Sequence, residues 1–190
     1  MRRLFTLALA GAITLALVLA DPTGAYKTYP TLDATASWLA QRPVEYRCLS
    51  QWESDHDYVI SVWGAAAYVE FAAGGGPEDY AVAAHPWCKV LRALRVGRAS
   101  AWSAEYVVAS VLILVHESGH LRGSSFPYWS NEAIVNCWAV RRAAAVAVLR
   151  FGIPESAMPA FNSILAGIYR NQPDEYQWPG CLKGIPGVAP

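Results

Sequence analysis

The feature that most constrains this chain is an apolar run, Tyr106 to Val115, that ends in His116-Glu117-Ser118-Gly119-His120. From Val107 to Val115 only Ser110 is polar. Crossing a bilayer takes about 20 apolar residues, so the run is too short to span one. A helix that is apolar on every side belongs in a protein core. Ser100 or Ser103 stands where an N-cap is needed, and Gly123 stands where the helix should stop, after Arg122. A buried central helix is therefore expected, with both histidines in its last turns.

On that helix His116 and His120 lie one turn apart on the same face. Two imidazoles at this spacing can share one zinc ion, and the glutamate between them, Glu117, can act as a base on water. A catalytic zinc usually has three protein ligands and one open position. The third ligand must come from elsewhere, and Glu132 is the leading candidate. It follows His120 across a single loop and opens the next helix, where the helix N-terminus also favours a carboxylate. Asn136 comes one turn later, on the Glu132 face. An amide there could accept a hydrogen bond from a ligating histidine and hold its tautomer.

His116-Glu-Ser-Gly-His120 followed by Asn131-Glu132-Ala-Ile-Val-Asn136 resembles the gluzincin branch of zinc metallopeptidases, in a compact form. The resemblance covers His116 to about Cys137. It implies a zincin-like fold, one Zn2+ per chain held by His116, His120 and Glu132, and Glu117 as the catalytic base. The gluzincin pattern has an acid where Asn136 stands here. His116 to Gly123 also matches the opening of the metzincin pattern, H-E-x-x-H-x-x-G. That pattern needs a His or Asp at the position of Phe126, which cannot ligate, and no methionine turn follows.

The chemistry implied is hydrolysis of a peptide bond. Zinc lowers the pKa of its bound water and polarises the substrate carbonyl. Glu117 takes the water proton and passes it to the leaving nitrogen. A further donor must face the carbonyl oxygen. Tyr128, Tyr169, Tyr176, His56 and His85 are candidates, and the sequence does not choose among them. An edge strand near Tyr80 to Ala84, or its hairpin partner, could hold an extended peptide by backbone pairing.

The N-terminus reads as an export signal, residues 1–20. Arg2 and Arg3 supply the positive end, Leu4 to Ala20 is apolar apart from Thr6 and Thr14, and Val18-Leu19-Ala20 offers small residues for cleavage. If the segment stays uncut, it is a membrane anchor. Either way the domain is secreted or otherwise extracytoplasmic. The four cysteines, Cys48, Cys88, Cys137 and Cys181, contain no C-x-x-C pair, so a zinc ribbon or thioredoxin-like site is not expected. Two disulfides are, with Cys48–Cys88 and Cys137–Cys181 preferred among three connectivities. Formal net charge is zero and no long basic run occurs, so nucleic-acid binding has no electrostatic support. Hydrophobic residues make up 54% of the chain, which excludes a disordered composition. The eight tryptophans are scattered and read as core packing rather than a binding platform.

Residues 21–30 read as a linker, 31–180 as one domain, and 181–190 as a Pro/Gly-rich tail. Thr31 to Gln41 is expected to be a short helix and Val44 to Trp52 extended. Tyr58 to Trp63 and Ala67 to Phe71 are expected to form a hairpin broken at Gly64, with Tyr80 to Ala84 as a third strand. Helices follow from Pro86, from Ser130 or Asn131, and from Pro154 to about Arg170. The expected fold is α+β, with a small antiparallel sheet in the front half and helices in the back half. The function expected is an exported zinc metallopeptidase acting on a peptide or protein substrate. The alternatives are a zinc amidohydrolase acting on a non-peptide amide, and a disulfide-braced binding domain without catalysis.

Overall fold

The computed structural model describes residues 27–63, 65–71, 79–123 and 130–188. The expected export signal lies outside the described residues. So do positions 21–26 of the linker, the Gly74-Gly75-Gly76-Pro77 turn, the loop at 124–129 with Tyr128, and residues 189–190.

The fold is α+β and mostly helical, with one four-stranded sheet. Strand β1 (Lys27–Thr28) leads into α1 (Pro30–Ala40), then β2 (Glu45–Cys48), α2 (Gln51–His56) and α3 (Tyr58–Trp63). The hairpin β3 (Ala67–Glu70) and β4 (Tyr80–Ala83) precedes α4 (His85–Arg95). Helices α5 (Ala104–His120), α6 (Glu132–Phe151) and α7 (Met158–Arg170) complete the back half. A short 3-10 turn, Asp174–Tyr176, lies within the C-terminal segment.

The strand order is β1-β2-β4-β3. It corrects the expected all-antiparallel sheet, because β2 and β4 run parallel, with Tyr46 opposite Ala81. The long connection that a parallel pair requires runs from β2 through α2, α3 and β3 before the chain enters β4. The segment Tyr58 to Trp63, expected as a strand, is α3. Its two valines, isoleucine and tryptophan fit either period in so short a run. Asp57 decides the matter: its Oδ1 accepts from the backbone N–H of Ile60 at 3.0 Å, which caps a helix start. Ser50 does the same for α2. It forms a reciprocal capping box with Glu53, so the extended stretch ends at Cys48 rather than Trp52.

Helix α5 is the buried centre of the molecule. It packs against α1, α4, α6, α7 and β3. Val108, Val111, Leu114 and Val115 are at most 1% exposed. Each such side chain contributes roughly 1.5–3 kcal/mol of transfer free energy. Its two buried serines are satisfied within the helix: Ser110 donates to Tyr106 O at 2.7 Å and Ser118 to Leu114 O at 2.6 Å. Ser103 caps it as expected, accepting from the Tyr106 N–H. The helix ends at His120, and Gly123 takes a positive φ of 55° two residues past the Leu121 cap.

Both expected disulfides are present. Cys48–Cys88 joins β2 to α4, and Cys137–Cys181 joins α6 to the C-terminal segment. Such bonds belong to an oxidising setting. Among the described residues no helix is long and apolar enough to cross a membrane.

Candidate metal centre

The contact of α5 with α6 builds the site, and one glycine makes that contact close. A Cβ added at Gly119 would lie 2.9 Å from Val135 Cγ1 and 3.1 Å from the Trp138 ring. Only a residue without a Cβ lets α6 come this near. The start of α6 is thereby brought beside the last turn of α5. Asn131 caps α6, accepting from the Ile134 N–H at 3.0 Å, and so places Glu132 at the first helical position.

Three ligand atoms converge there. His120 Nε2 is 2.9 Å from His116 Nε2, His116 Nε2 is 3.1 Å from Glu132 Oε2, and His120 Nε2 is 3.3 Å from the same oxygen. Ligands bound tetrahedrally to a metal at about 2.0–2.1 Å stand roughly 3.3 Å apart, so the triangle has the right size. With both imidazoles neutral and protonated at Nδ1, the three atoms would all present lone pairs to one another. Such a cluster calls for a cation at its centre. His116, His120 and Glu132 could therefore hold a metal ion. The imidazoles are 12% and 7% exposed and the Glu132 side chain 42%, so the site is walled on the histidine side and open on the other.

Electrostatics follow the geometry. When the two imidazoles instead carry protons at Nε2, burial still pushes the Glu132 carboxyl upward, but hydrogen bonds and charge from His116 and His120 outweigh it and hold the group well below the carboxylate range. Glu117 is buried, 8% exposed, and lines the same cleft. Burial raises its carboxyl, the neighbouring histidines oppose that, and Glu132 adds to it. A carboxylate whose proton affinity is raised in this way is the better base.

The cleft encloses about 740 Å³ and has two unlike walls. One is apolar, with Leu112 and Ile113 of α5 and Val69 of β3, the terminal strand of the sheet among the described residues. The other is polar, with Asn136 of α6 and Gln172 and Tyr176 of the C-terminal segment. Of the four expected donors among the described residues, Tyr176 is the one the fold brings to the cleft, its ring centroid 6.4 Å from that of His116. Burial raises its phenol pKa, and Glu132, Glu117 and Glu175 add to the shift, so the hydroxyl keeps its proton. The Tyr169 hydroxyl is bonded to the Trp178 backbone. His56 stacks on Trp52, with ring centroids 4.3 Å apart, and His85 sits at the start of α4. Neither histidine lines the cleft.

Asn136 departs from expectation. Its amide donates to Gln172 Oε1 at 2.5 Å and to Tyr176 O at 2.8 Å, rather than serving a histidine. Reading the sequence also missed Gln172 and Gly119. A small residue between the two histidines was a signal for close helix packing; nothing in the sequence marks Gln172. Comparison with protein-family models, with curated proteins and with solved structures finds no match to this chain.

Proposed function

We propose that this protein is an exported zinc metallopeptidase, zincin-like in fold and closest in its site to compact gluzincins. The observation that carries the reading is the 2.9–3.3 Å triangle of His116, His120 and Glu132, with Glu117 buried in the same cleft. Two imidazole nitrogens and one carboxylate oxygen form a donor set that suits zinc and leaves a fourth position open. Bound there, zinc would lower the pKa of a water and polarise a carbonyl. Glu117 receives the proton of the attacking water and delivers it to the leaving nitrogen. Water oxygen bonds to the carbonyl carbon, the C–N bond breaks, and acid and amine leave.

A peptide substrate is favoured over a small amide by β3. It is the terminal strand of the described sheet, and its residues line the cleft beside His116. An extended chain can add to such an edge by backbone hydrogen bonds. The two disulfides and the N-terminal sequence support export.

Metal analysis of the oxidised mature protein tests the site, with Glu132→Ala beside it. About one zinc per chain is expected, with affinity at least roughly a hundredfold weaker in the variant. Glu117→Gln should keep zinc and lose peptide turnover by about 10²-fold or more. A parent protein that takes up no zinc would sink the hydrolase reading and leave a disulfide-braced binding domain. Zinc uptake with turnover of small amides but of no peptide would move the reading to an amidohydrolase.

A further inference from the structure

We propose that Asn136 is a positioning residue that holds the C-terminal segment across α6, so that the Tyr176 hydroxyl donates to the carbonyl oxygen of the scissile bond. The proposal rests on the peptidase reading of the site. Its starting point is the departure from the gluzincin pattern, an amide where an acid is expected. Asn136 is 1% exposed, and both of its recorded partners accept: the Gln172 side-chain oxygen and the Tyr176 main-chain carbonyl. Serving two acceptors at once takes an NH₂ group. A carboxylate has no proton to give and would meet both oxygens with like partial charge. An amide at this position is therefore what the segment requires.

That segment is a strap. Cys181 ties it to Cys137, the residue after Asn136. The Arg141 guanidinium, one turn further along α6, donates to Gly180 O and Lys183 O. The Gln177 amide folds back to Gln172 O at 2.6 Å, and the Trp178 N–H donates to the Tyr169 hydroxyl at 2.5 Å. The whole network delivers two side chains to the cleft, Gln172 and Tyr176. The Tyr176 hydroxyl makes no hydrogen bond among the described residues, so its donor is free for a ligand. As the carbonyl carbon is attacked, its oxygen gains negative charge, and a phenol O–H held in place stabilises that charge most in the transition state. Tyr176 keeps its proton throughout; the proton that moves belongs to the water and travels by Glu117.

The test uses the oxidised full chain, zinc-loaded, against a quenched-fluorescence peptide library, with Tyr176→Phe, Asn136→Asp and the double variant. Tyr176→Phe should keep zinc, leave KM within about twofold, and lower kcat about 10²–10³-fold. Asn136→Asp should lower kcat by a similar factor, and adding it to Tyr176→Phe should cost little more, because both act through one hydroxyl. A second readout does not need activity. In the metal-free protein, Asn136→Asp should speed amide exchange across 172–181 by about tenfold or more, while Tyr176→Phe leaves it unchanged. Should Asn136→Asp not fold, Gln172→Ala at a half-buried position should loosen the strap in the same direction. A Tyr176→Phe protein with kcat within about threefold of the parent overturns the role of the hydroxyl. Additive losses in the double variant, or unchanged exchange in Asn136→Asp, overturn the positioning role. A zinc-loaded parent that cleaves no peptide fails the peptidase reading instead, and the exchange result then still decides whether Asn136 holds the strap.

Discussion

The two walls of the cleft are made by different means. The apolar wall rests on a strand ladder and on α5 itself: β3 pairs with β4 through the backbone, and Leu112 and Ile113 project from the central helix. Apart from Asn136 on α6, the polar wall is a strap without regular secondary structure beyond one short turn, held by Cys137–Cys181 and by the amide of Asn136. A ladder uses main-chain groups that every residue carries, so it tolerates exchange of side chains. A strap held by particular side chains fails when one of them changes. The apolar wall should therefore govern how tightly substrate binds, and the polar wall how well the bound substrate reacts.

The sharpest way to break this contrast is to remove each disulfide in turn. The bonds close loops of 40 and 44 residues, and chain entropy assigns each roughly 4 kcal/mol. Replacing the cysteines of either pair by serine should thus cost similar stability in denaturant unfolding. Only loss of Cys137–Cys181 should lower kcat. Equal kcat losses from the two variants would erase the distinction between the walls.

Next in size is the helix contact beneath both walls. Gly119→Ala puts a methyl 2.9 Å from Val135, an overlap that should cost about 1–3 kcal/mol in thermal unfolding. Because α6 carries Glu132, zinc affinity should fall with stability in a zinc titration. Stability loss at unchanged affinity would mean that the triangle does not depend on the helix approach.

Smaller again is a change on the apolar wall. Ile113→Ala should raise KM about tenfold for peptides with a large apolar side chain and leave kcat nearly unchanged. A kcat effect there would blur the division between the walls. The smallest effect is expected at Trp52, 68% exposed and outside the cleft. Trp52→Ala should shift unfolding by less than about 0.5 kcal/mol and leave turnover alone. A larger effect on turnover would place a substrate contact outside both walls.

Much of the back half was legible in the sequence. The apolar run into His116, the cap at Ser103 and the cap at Asn131 each act within one turn of chain, so local chemistry sets them. The front half was read less well. Tyr58 to Trp63 is rich in residues that suit strands, yet Asp57 caps it into a helix. The parallel pairing of β2 with β4 joins segments far apart in the chain, and no local pattern announces it.

The sequence by itself determined which atoms are available to the site: two imidazoles one helical turn apart, a glutamate between them, and a carboxylate at the start of the next helix. Helical period and capping are short-range physics, and they act wherever these residues stand. Only the tertiary structure decided what converges on them. Gly119 lets α6 close on α5, β3 lines one side of the cleft, and the strap brings Tyr176 and Gln172 to the other. Those placements depend on packing and hydrogen bonds between residues distant in the chain, such as Asn136 with Tyr176, 40 positions apart. A pair of that kind is defined by distance in space, which composition and spacing do not contain.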